Sequence, residues 1–415
     1  MIKKPAFKLI YCRLCKSKNL KPVLDLGKSP PPNLYLKKSQ LKKGELIFPL
    51  KVNFCMDCAQ VQLSHVVSPE IMYRSYSYVS STSPVMVAHF KDYAKSVFEK
   101  IKLQKKDLVV EIGSNDGVLL QSFKNLGVNI LGIDPARNIA IQATKKGIPT
   151  LPHFFTANLA KKVAKKYGRA KVITGNNVFA HIHDLDDVIA GVHELLDQNG
   201  AFIVEFPYLL DTLDNNVFDT IYHEHLSYLA VKPLDKFFKN FNMEIFDVVR
   251  TPVQGGSIRI HAGKKGSSLK RKVIVEKLLD LEKRKKLHIP QTYINFAQNV
   301  IQTKKSLNTL LKDLKRKNKR VVGYGAPGRS TTLLNYFGID TKILDYIVDD
   351  NTLKIGLYTP GTHIPIYGIE RLKKTNPEYL LILSWNFAEP IMEKMSPYKK
   401  TGVKFIIPLP LPTII

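Results

Sequence analysis

The sequence contains no apolar run approaching the ~20 residues needed to cross a bilayer, and no apolar signal-peptide core follows Met1-Ile2-Lys3-Lys4-Pro5. The Pro-rich close, Pro408-Leu409-Pro410-Leu411-Pro412, is too short and broken to anchor. These absences lead us to expect a cytoplasmic chain with no membrane partner. Cysteine is scarce, with four in 415 residues, which excludes a disulfide-stapled scaffold. Acidic residues are also few, 35 against 63 Lys and Arg, for a formal net charge of +28. Such an excess points to an anionic partner: nucleic acid, a membrane surface or a phosphorylated small molecule. The charge does not choose among them. At 44% apolar and 24% charged, the composition is that of a soluble globular chain and excludes disordered and collagen-like classes. The length suggests about three domains.

Residues 1–70 read as loop-rich, with Ser29-Pro30-Pro31-Pro32-Asn33 at their centre and a cysteine pair on either side. Residues 71–263 alternate short apolar runs with helical patterns. The runs are 108–113, 129–134, 170–175, 201–206 and 243–249, with 256–261 as a possible final strand. The region from Asp186 to Leu196 reads as a helix. Such alternation implies an α/β fold with a parallel sheet covered by helices on both faces. Residues 264–319 are lysine-rich and helical in period, broken at Pro290, and read as a helical connector. From residue 320 to 415 the alternation resumes through 320–325, 342–349 and 379–384, a second and smaller sheet domain.

The four cysteines form two tight pairs, Cys12-x2-Cys15 and Cys55-x2-Cys58. Each pair places two thiolates on one side of a turn, and together they complete a tetrahedral zinc site. The 39 residues between Cys15 and Cys55 require an extended loop or small sheet between the knuckles. A closed four-thiolate site leaves no position open for chemistry, so the zinc is expected to be structural.

Glu111-Ile112-Gly113-Ser114-Asn115-Asp116-Gly117 lies where a strand passes to a helix beginning near Val118. Glycines here admit a ligand close to the backbone, and the helix start offers free N–H groups. Asp134, 17 residues after Gly117, ends the next strand, where a carboxylate can accept ribose hydroxyls. An acidic residue before a Glu-x-Gly-x-x-x-Gly loop resembles motif I of class I S-adenosylmethionine-dependent methyltransferases. Glu111 and Asp116 would repel a pyrophosphate and tolerate the cationic methionyl end of that donor.

His181-Ile182-His183 follows the strand ending in Gly175-Asn176-Asn177, at the rim where ligands gather in such sheets. Tyr222-His223-Glu224-His225, with Tyr228, follows the next strand. Imidazole, phenol and carboxylate together can abstract a proton and stabilise an enolate. The same residues are open to two other readings, a metal site built from the His-x-His pairs or polar residues of a surface loop. A further loop, Gly323-x-Gly325-x-x-Gly328, follows a strand, with Asp349 21 residues beyond Gly328. That spacing meets the dinucleotide fingerprint and by itself argues for an NAD-dependent oxidoreductase.

Taken together, the four cysteines, Tyr73-Arg74-Ser75-Tyr76-Ser77-Tyr78, the 111–117 loop and Tyr222-His223-Glu224-His225 resemble the sugar C-methyltransferases of deoxysugar pathways. That family methylates C3 of nucleotide-linked 4-keto sugars. Gly323–Gly328, Pro360–Pro365 and Ser384-Trp385-Asn386 look like its third domain, so the resemblance spans nearly the whole chain. It implies an N-terminal zinc module, a central class I methyltransferase Rossmann-like sheet, and a C-terminal Rossmann-like domain that helps hold the nucleotide sugar. It makes His225 the general base, with Tyr222, Glu224, His181 and Tyr76 completing the pocket. Glu111, Gly113, Asn115, Asp116, Gly117, Asp134 and Asn177 would hold S-adenosylmethionine. Tyr78, Ser257, Arg259, Gly325, Gly328, Arg329 and Asn386 would face the nucleotide sugar, with Arg259 and Arg329 on the diphosphate. Arg329 stands where the family is expected to carry lysine. Two other readings stay open: the neighbouring chemistry of O-methylation of a nucleotide sugar, and, of another class, a basic zinc-module nucleic-acid binder such as an RNA methyltransferase. The clean glycine loops and lack of aromatic-basic stripes count against nucleic acid. A monomer is expected, and most of the positive charge is expected on solvated faces of the connector, such as Glu282–Lys286 and Lys315–Arg320.

Overall fold

A computed structural model describes residues 5–73 and 79–415 of the chain. Tyr76 and Tyr78 lie outside the described residues. The N-terminal part is built from five strands, β1 (Ala6–Lys8), β2 (Leu20–Ser29), β3 (Phe48–Cys55), β4 (Val61–Leu63) and β5 (His65–Val67). β2, β3 and β4 pair antiparallel, and β1 pairs with β5. The second knuckle is the β3–β4 turn itself. Cys55 exchanges backbone hydrogen bonds with Gln60 and Ala59, and Ala59 takes the left-handed conformation (φ 64°) that the tight turn requires.

The central strands are β6 (Leu108–Ile112), β7 (Asn129–Ile133), β8 (Thr150–Leu151), β9 (Ala170–Asn176), β10 (Leu196–Pro207), β11 (Ser227–Tyr228), β12 (Met243–Thr251) and β13 (Ser257–Lys264). Seven of them form one sheet in the order β12-β13-β10-β9-β6-β7-β8. β6 is buried at every position, as a continuous apolar run between two helical layers should be. The sheet is parallel from β8 to β10, and β13 runs antiparallel to both β10 and β12. The all-parallel expectation therefore fails at this edge. Only residues 252–256 join β12 to β13, and so short a link permits a hairpin and no crossover. The helix Pro84–Ile101 covers one face. Ser83 caps it by accepting from the Met86 N–H, and Met86, Phe90, Tyr93, Ala94, Val97 and Ile101 are buried at helical spacing.

β11 does not join the central sheet. It pairs with β4 and extends the N-terminal sheet to the order β11-β4-β3-β2, so the segment after His225 belongs to two units at once. The helices Val273–Arg284 and Pro290–Arg316 present lysines outward and an apolar face inward. Tyr293 meets Phe54 with ring centroids 5.2 Å apart. Glu282, expected on a solvated face, is 1% exposed. Its carboxylate accepts from the Val231 and Lys232 N–H groups and the Tyr208 hydroxyl, capping the helix Val231–Lys239.

The last strands, β14 (Val321–Tyr324), β15 (Ile347–Val348), β16 (Ile366–Tyr367), β17 (Tyr379–Ile382), β18 (Lys404–Ile407) and β19 (Thr413–Ile414), form a second sheet in the order β16-β15-β14-β17-β18-β19. The strand expected over 342–349 shrinks to β15. Asp340 takes the intervening backbone into a turn, accepting from the Lys342 N–H on its side chain and from Ile343 and Leu344 on its carbonyl. Among the described residues no helix is long and apolar enough to cross a membrane.

Candidate active site

A cavity of about 560 Å³ opens at the carboxyl edge of the central sheet and reaches the start of the helix Gly328–Phe337. Its walls come from all parts of the chain: Asn33 and Tyr73, the rim Gly113 to Asn177, the segment Thr220 to His225, and Gly328, Arg329, Lys354 and Asn386. This is where ligands sit in open α/β sheets.

On the rim, Gly113, Asn115, Asp134 and Asn177 line the cavity, and Glu111, Asp116 and Gly117 stand behind them. Gly113 (φ 68°) and Gly117 (φ 79°) are demanded locally. A Cβ on either would lie 2.7 Å from the side chain of Val178 or Ile148 respectively. Asp134 accepts from the backbone N–H groups of Asn115 and Ala136, both at 2.8 Å, which fixes the loop around it. The Glu111 carboxylate accepts from Asn176 on one oxygen at 3.3 Å, and its second oxygen is buried with no partner among the described residues. Burial, aided by Asp134 and Asp116, pushes the Glu111 carboxyl well above its ordinary range. A buried, unsatisfied acceptor beside two more carboxylates suits a cationic ligand. The set fits S-adenosylmethionine, whose cationic end the Glu111 carboxylate would favour from behind the rim and whose ribose Asp134, on the cavity wall, would meet.

Across the cavity, His225 Nδ1 lies 2.7 Å from the Thr220 carbonyl oxygen. A carbonyl only accepts, so Nδ1 carries the proton and Nε2 is left with a lone pair. Tyr222 donates its hydroxyl to that Nε2 at 2.9 Å. Burial drives the His225 imidazole down to about 4. The His181 ring lies 5.0 Å from it, stacked on Tyr73, and burial lowers it well below the usual value. Its Nε2 is buried with no partner among the described residues. Both imidazoles are held neutral. The Glu224 carboxylate accepts from Asn33 at 2.9 Å. His223 points the other way, 1% exposed and edge-on to Phe48. Among the described residues, the four cysteines are the group of three or more ligating side chains that comes together, so the His-x-His pairs assemble no metal set there.

On the far wall, Arg329 donates to Asp219 at 2.8 Å and stacks on Trp385 at 4.8 Å. Trp385 donates to the other Asp219 oxygen at 2.7 Å, which ties the C-terminal helix to the segment before His225. Gly325 (φ 81°) passes close to Ser384, Gly328 opens the helix beside Asn33, and Asn386 lines the cavity. Asp349 accepts from the Ala326 and Asn351 N–H groups, as Asp134 does in the first loop. The two glycine loops are therefore held by their carboxylates in the same way. Two expected substrate residues are elsewhere. Arg259 lies 5% exposed in the sheet, bound through two nitrogens to Glu205 (2.8 and 2.9 Å) and 3.6 Å over Tyr93. Ser257 is fully buried and donates to the Val253 carbonyl. Neither lines the cavity, because inward positions on β13 face the sheet core. Sequence reasoning passed over Thr220, Asn33, Asp219 and Lys354. Only Lys354, a cation near a glycine loop, carried a signal that could have been used.

The Cys12, Cys15, Cys55 and Cys58 sulfurs all lie within 4.8 Å of one another. Cys12 falls to about 5 through Cys58, while burial raises Cys15 to about 11 and Cys12 raises Cys58 further. So close a set ionises fully only around a cation, and four thiolates are the donor set of a closed structural zinc site.

A glycine-loop rim with a carboxylate at the end of the next strand, and an antiparallel strand inserted at the sheet edge, define a class I S-adenosylmethionine-dependent methyltransferase. Three family models tile the chain: "Putative zinc binding domain" over residues 12–73, "Methyltransferase domain" over 88–248 and "C-methyltransferase C-terminal domain" over 252–410. The C-methyltransferase NovU of Streptomyces niveus is 34% identical over 404 residues, 97% of this chain and 96% of that protein. Solved structures that match part of the chain include an S-adenosylmethionine-dependent methyltransferase from Clostridium acetobutylicum, at 16% identity and TM-score 0.35 over 43% of this chain and 92% of that one. Magnesium protoporphyrin IX methyltransferase from Synechocystis, with bound S-adenosylhomocysteine, matches at 15% identity and TM-score 0.35 over 47% and 92%. The chain belongs to the zinc-module C-methyltransferase family and is an S-adenosylmethionine-dependent C-methyltransferase.

Proposed function

We propose that the acceptor is a nucleotide-diphosphate-linked 4-keto sugar, methylated at C3 after His225 removes the C3 proton. The observation that carries this reading is the Thr220–His225–Tyr222 chain on the cavity wall, a neutral imidazole whose Nε2 lone pair accepts the Tyr222 hydroxyl. A C–H beside a ketone is acidic enough for such a base once the oxygen's developing charge is met by a donor. The C3–H bond breaks, its proton goes to His225 Nε2, and its electron pair passes into the C3–C4 bond as charge collects on the C4 oxygen. Tyr222, released from Nε2 when the sugar enters, donates to that oxygen. S-adenosylmethionine, bound at the rim, supplies the electrophilic methyl group that C3 takes and leaves as S-adenosylhomocysteine. Neutral His181 and the Glu224–Asn33 pair close the wall around the ring. The start of the Gly328–Phe337 helix, with Lys354 17% exposed on its side chain and Arg329 beside it, is suited to a diphosphate.

His225→Asn should bind S-adenosylmethionine with wild-type affinity while turnover of a nucleotide 4-keto sugar falls by about 10²–10⁴. Turnover within a few-fold of wild type would remove His225 from the base role. Titration of a panel of nucleotide diphosphates against the melting temperature tests the C-terminal site. Stabilisation by NAD(H) and by none of the nucleotide diphosphates would contradict the sugar assignment.

A further inference from the structure

We infer that Arg13, inside the first cysteine knuckle, is a positioning residue for His225 and His181, so that the zinc module holds the reacting groups as well as its own fold. The inference rests on the reading of His225 as the base. Arg13 sits between Cys12 and Cys15 and is 2% exposed. Its backbone N–H donates to Gln62 within the module at 2.8 Å, which fixes where the side chain starts. The guanidinium then leaves the module. Nε donates to the Leu226 carbonyl at 3.2 Å, and a terminal nitrogen donates to His183 Nδ1 at 2.9 Å.

Those two acceptors belong to the two segments that carry the site histidines. Leu226 is the residue after His225, and its own N–H donates at 2.8 Å to the carbonyl of Ala180, the residue before His181. The two histidine segments are thus tied at one junction, and Arg13 grips it from both sides. Leu63 of β4 donates to the same Leu226 carbonyl at 3.0 Å, where β11 begins its pairing with the module sheet. The whole 5.0 Å approach of the His225 and His181 rings is braced against the knuckle. A planar fork reaches two acceptors on separate segments, whereas an ammonium supplies a single point. Displacements of about 1 Å in a base cost ~10²-fold in rate.

The test uses the full zinc-loaded chain in the variants Arg13→Lys and Arg13→Met. Four quantities are read: zinc content, S-adenosylmethionine affinity, the kcat and KM for a nucleotide 4-keto sugar, and the ¹⁵N resonances of the His225 imidazole without substrate. In the wild type the imidazole should show a single Nδ1–H tautomer. In both variants zinc and donor binding should stay within about twofold, kcat should fall 10- to 100-fold with KM little changed, and the imidazole signals should average between tautomers. Wild-type imidazole signals and kcat in both variants would overturn the inference. So would loss of zinc and donor binding in step with kcat in both, which would make Arg13 part of the fold alone. If His225→Asn retained turnover, the base assignment would fail. The imidazole signals would still report separately whether Arg13 positions that residue.

Discussion

The proposed base, His225, owes its tautomer to Thr220. An imidazole in water titrates near 6.5 and exchanges tautomers freely, whereas burial lowers this one to about 4 and the Thr220 carbonyl fixes the proton on Nδ1. The neutral form is the one that accepts a proton, so a lowered value extends activity toward acid. Proton abstraction should hold level from pH 8 down to about 5, and a loss already half complete at pH 6.5 would contradict this environment. Stability carries the opposite cost. His223, His225 and His261 are lowered by burial to about 4, 4 and 3, and His181 also falls, while the unfolded chain protonates them near 6.5. Their contribution is fully present above pH 6.5 and is lost as pH falls through about 4. Thermal unfolding should show the melting temperature dropping across that window. Asp219 makes a second residue-scale case. It is fully buried between Arg329 and Trp385, and Asp219→Ala leaves a buried guanidinium unpaired, at a cost of about 3–5 kcal/mol in denaturant unfolding. At this scale the sequence displayed His181, Tyr222 and His225, which the fold brings to one cavity, because their types and spacing are local. It did not display Thr220, whose backbone carbonyl meets His225 only through the turn of the loop between them, or Asn33, whose contact with Glu224 is made across the fold.

Elements were legible where a pattern is complete within a few residues. β6, β7 and β9, the glycine loop and both cysteine knuckles lie where their local signals place them. The hairpin at β12–β13 and the shortened β15 were not, because pairing direction and Asx turns depend on links that periodicity does not weigh. The helices 273–316 show the same limit. Their lysines read as solvated, yet Glu282 turns inward to cap the helix Val231–Lys239. Glu282→Ala should cost about 2–3 kcal/mol by stranding two N–H groups and the Tyr208 hydroxyl, measured as a shift in the urea midpoint at constant slope. An unchanged midpoint would mean that water replaces the carboxylate there. The knuckles carry a prediction of the same kind. Cys55→Ser should lower zinc content below one per chain and depress the melting temperature, since the metal's binding energy is folding energy for the module.

The molecule as a whole is a central sheet with a lid on each side, and both lids are tied to the segment Asp219–Tyr228. The N-terminal module holds it through β4 and Arg13, and the C-terminal domain holds it through Arg329 and Trp385. The connection between β2 and β3 also reaches the C-terminal domain directly, where Glu45 accepts from His363 at 2.6 Å and Leu36 bridges to Tyr358. The net charge of +28 takes little part in this. Lys315 and Arg320 pair with Asp345 on partly exposed surface, and such pairs contribute little. What the cavity holds for an anion is narrow: a helix start, Lys354 and an already paired Arg329. Placing the wild-type enzyme, without methyl donor, in deuterated water with a nucleotide 4-keto sugar asks whether the C3 proton leaves before any methyl arrives. Deuterium should enter C3 in the wild type and fail to enter with His225→Asn. No exchange at C3 in the wild type, or exchange that persists in the variant, would contradict proton removal by His225.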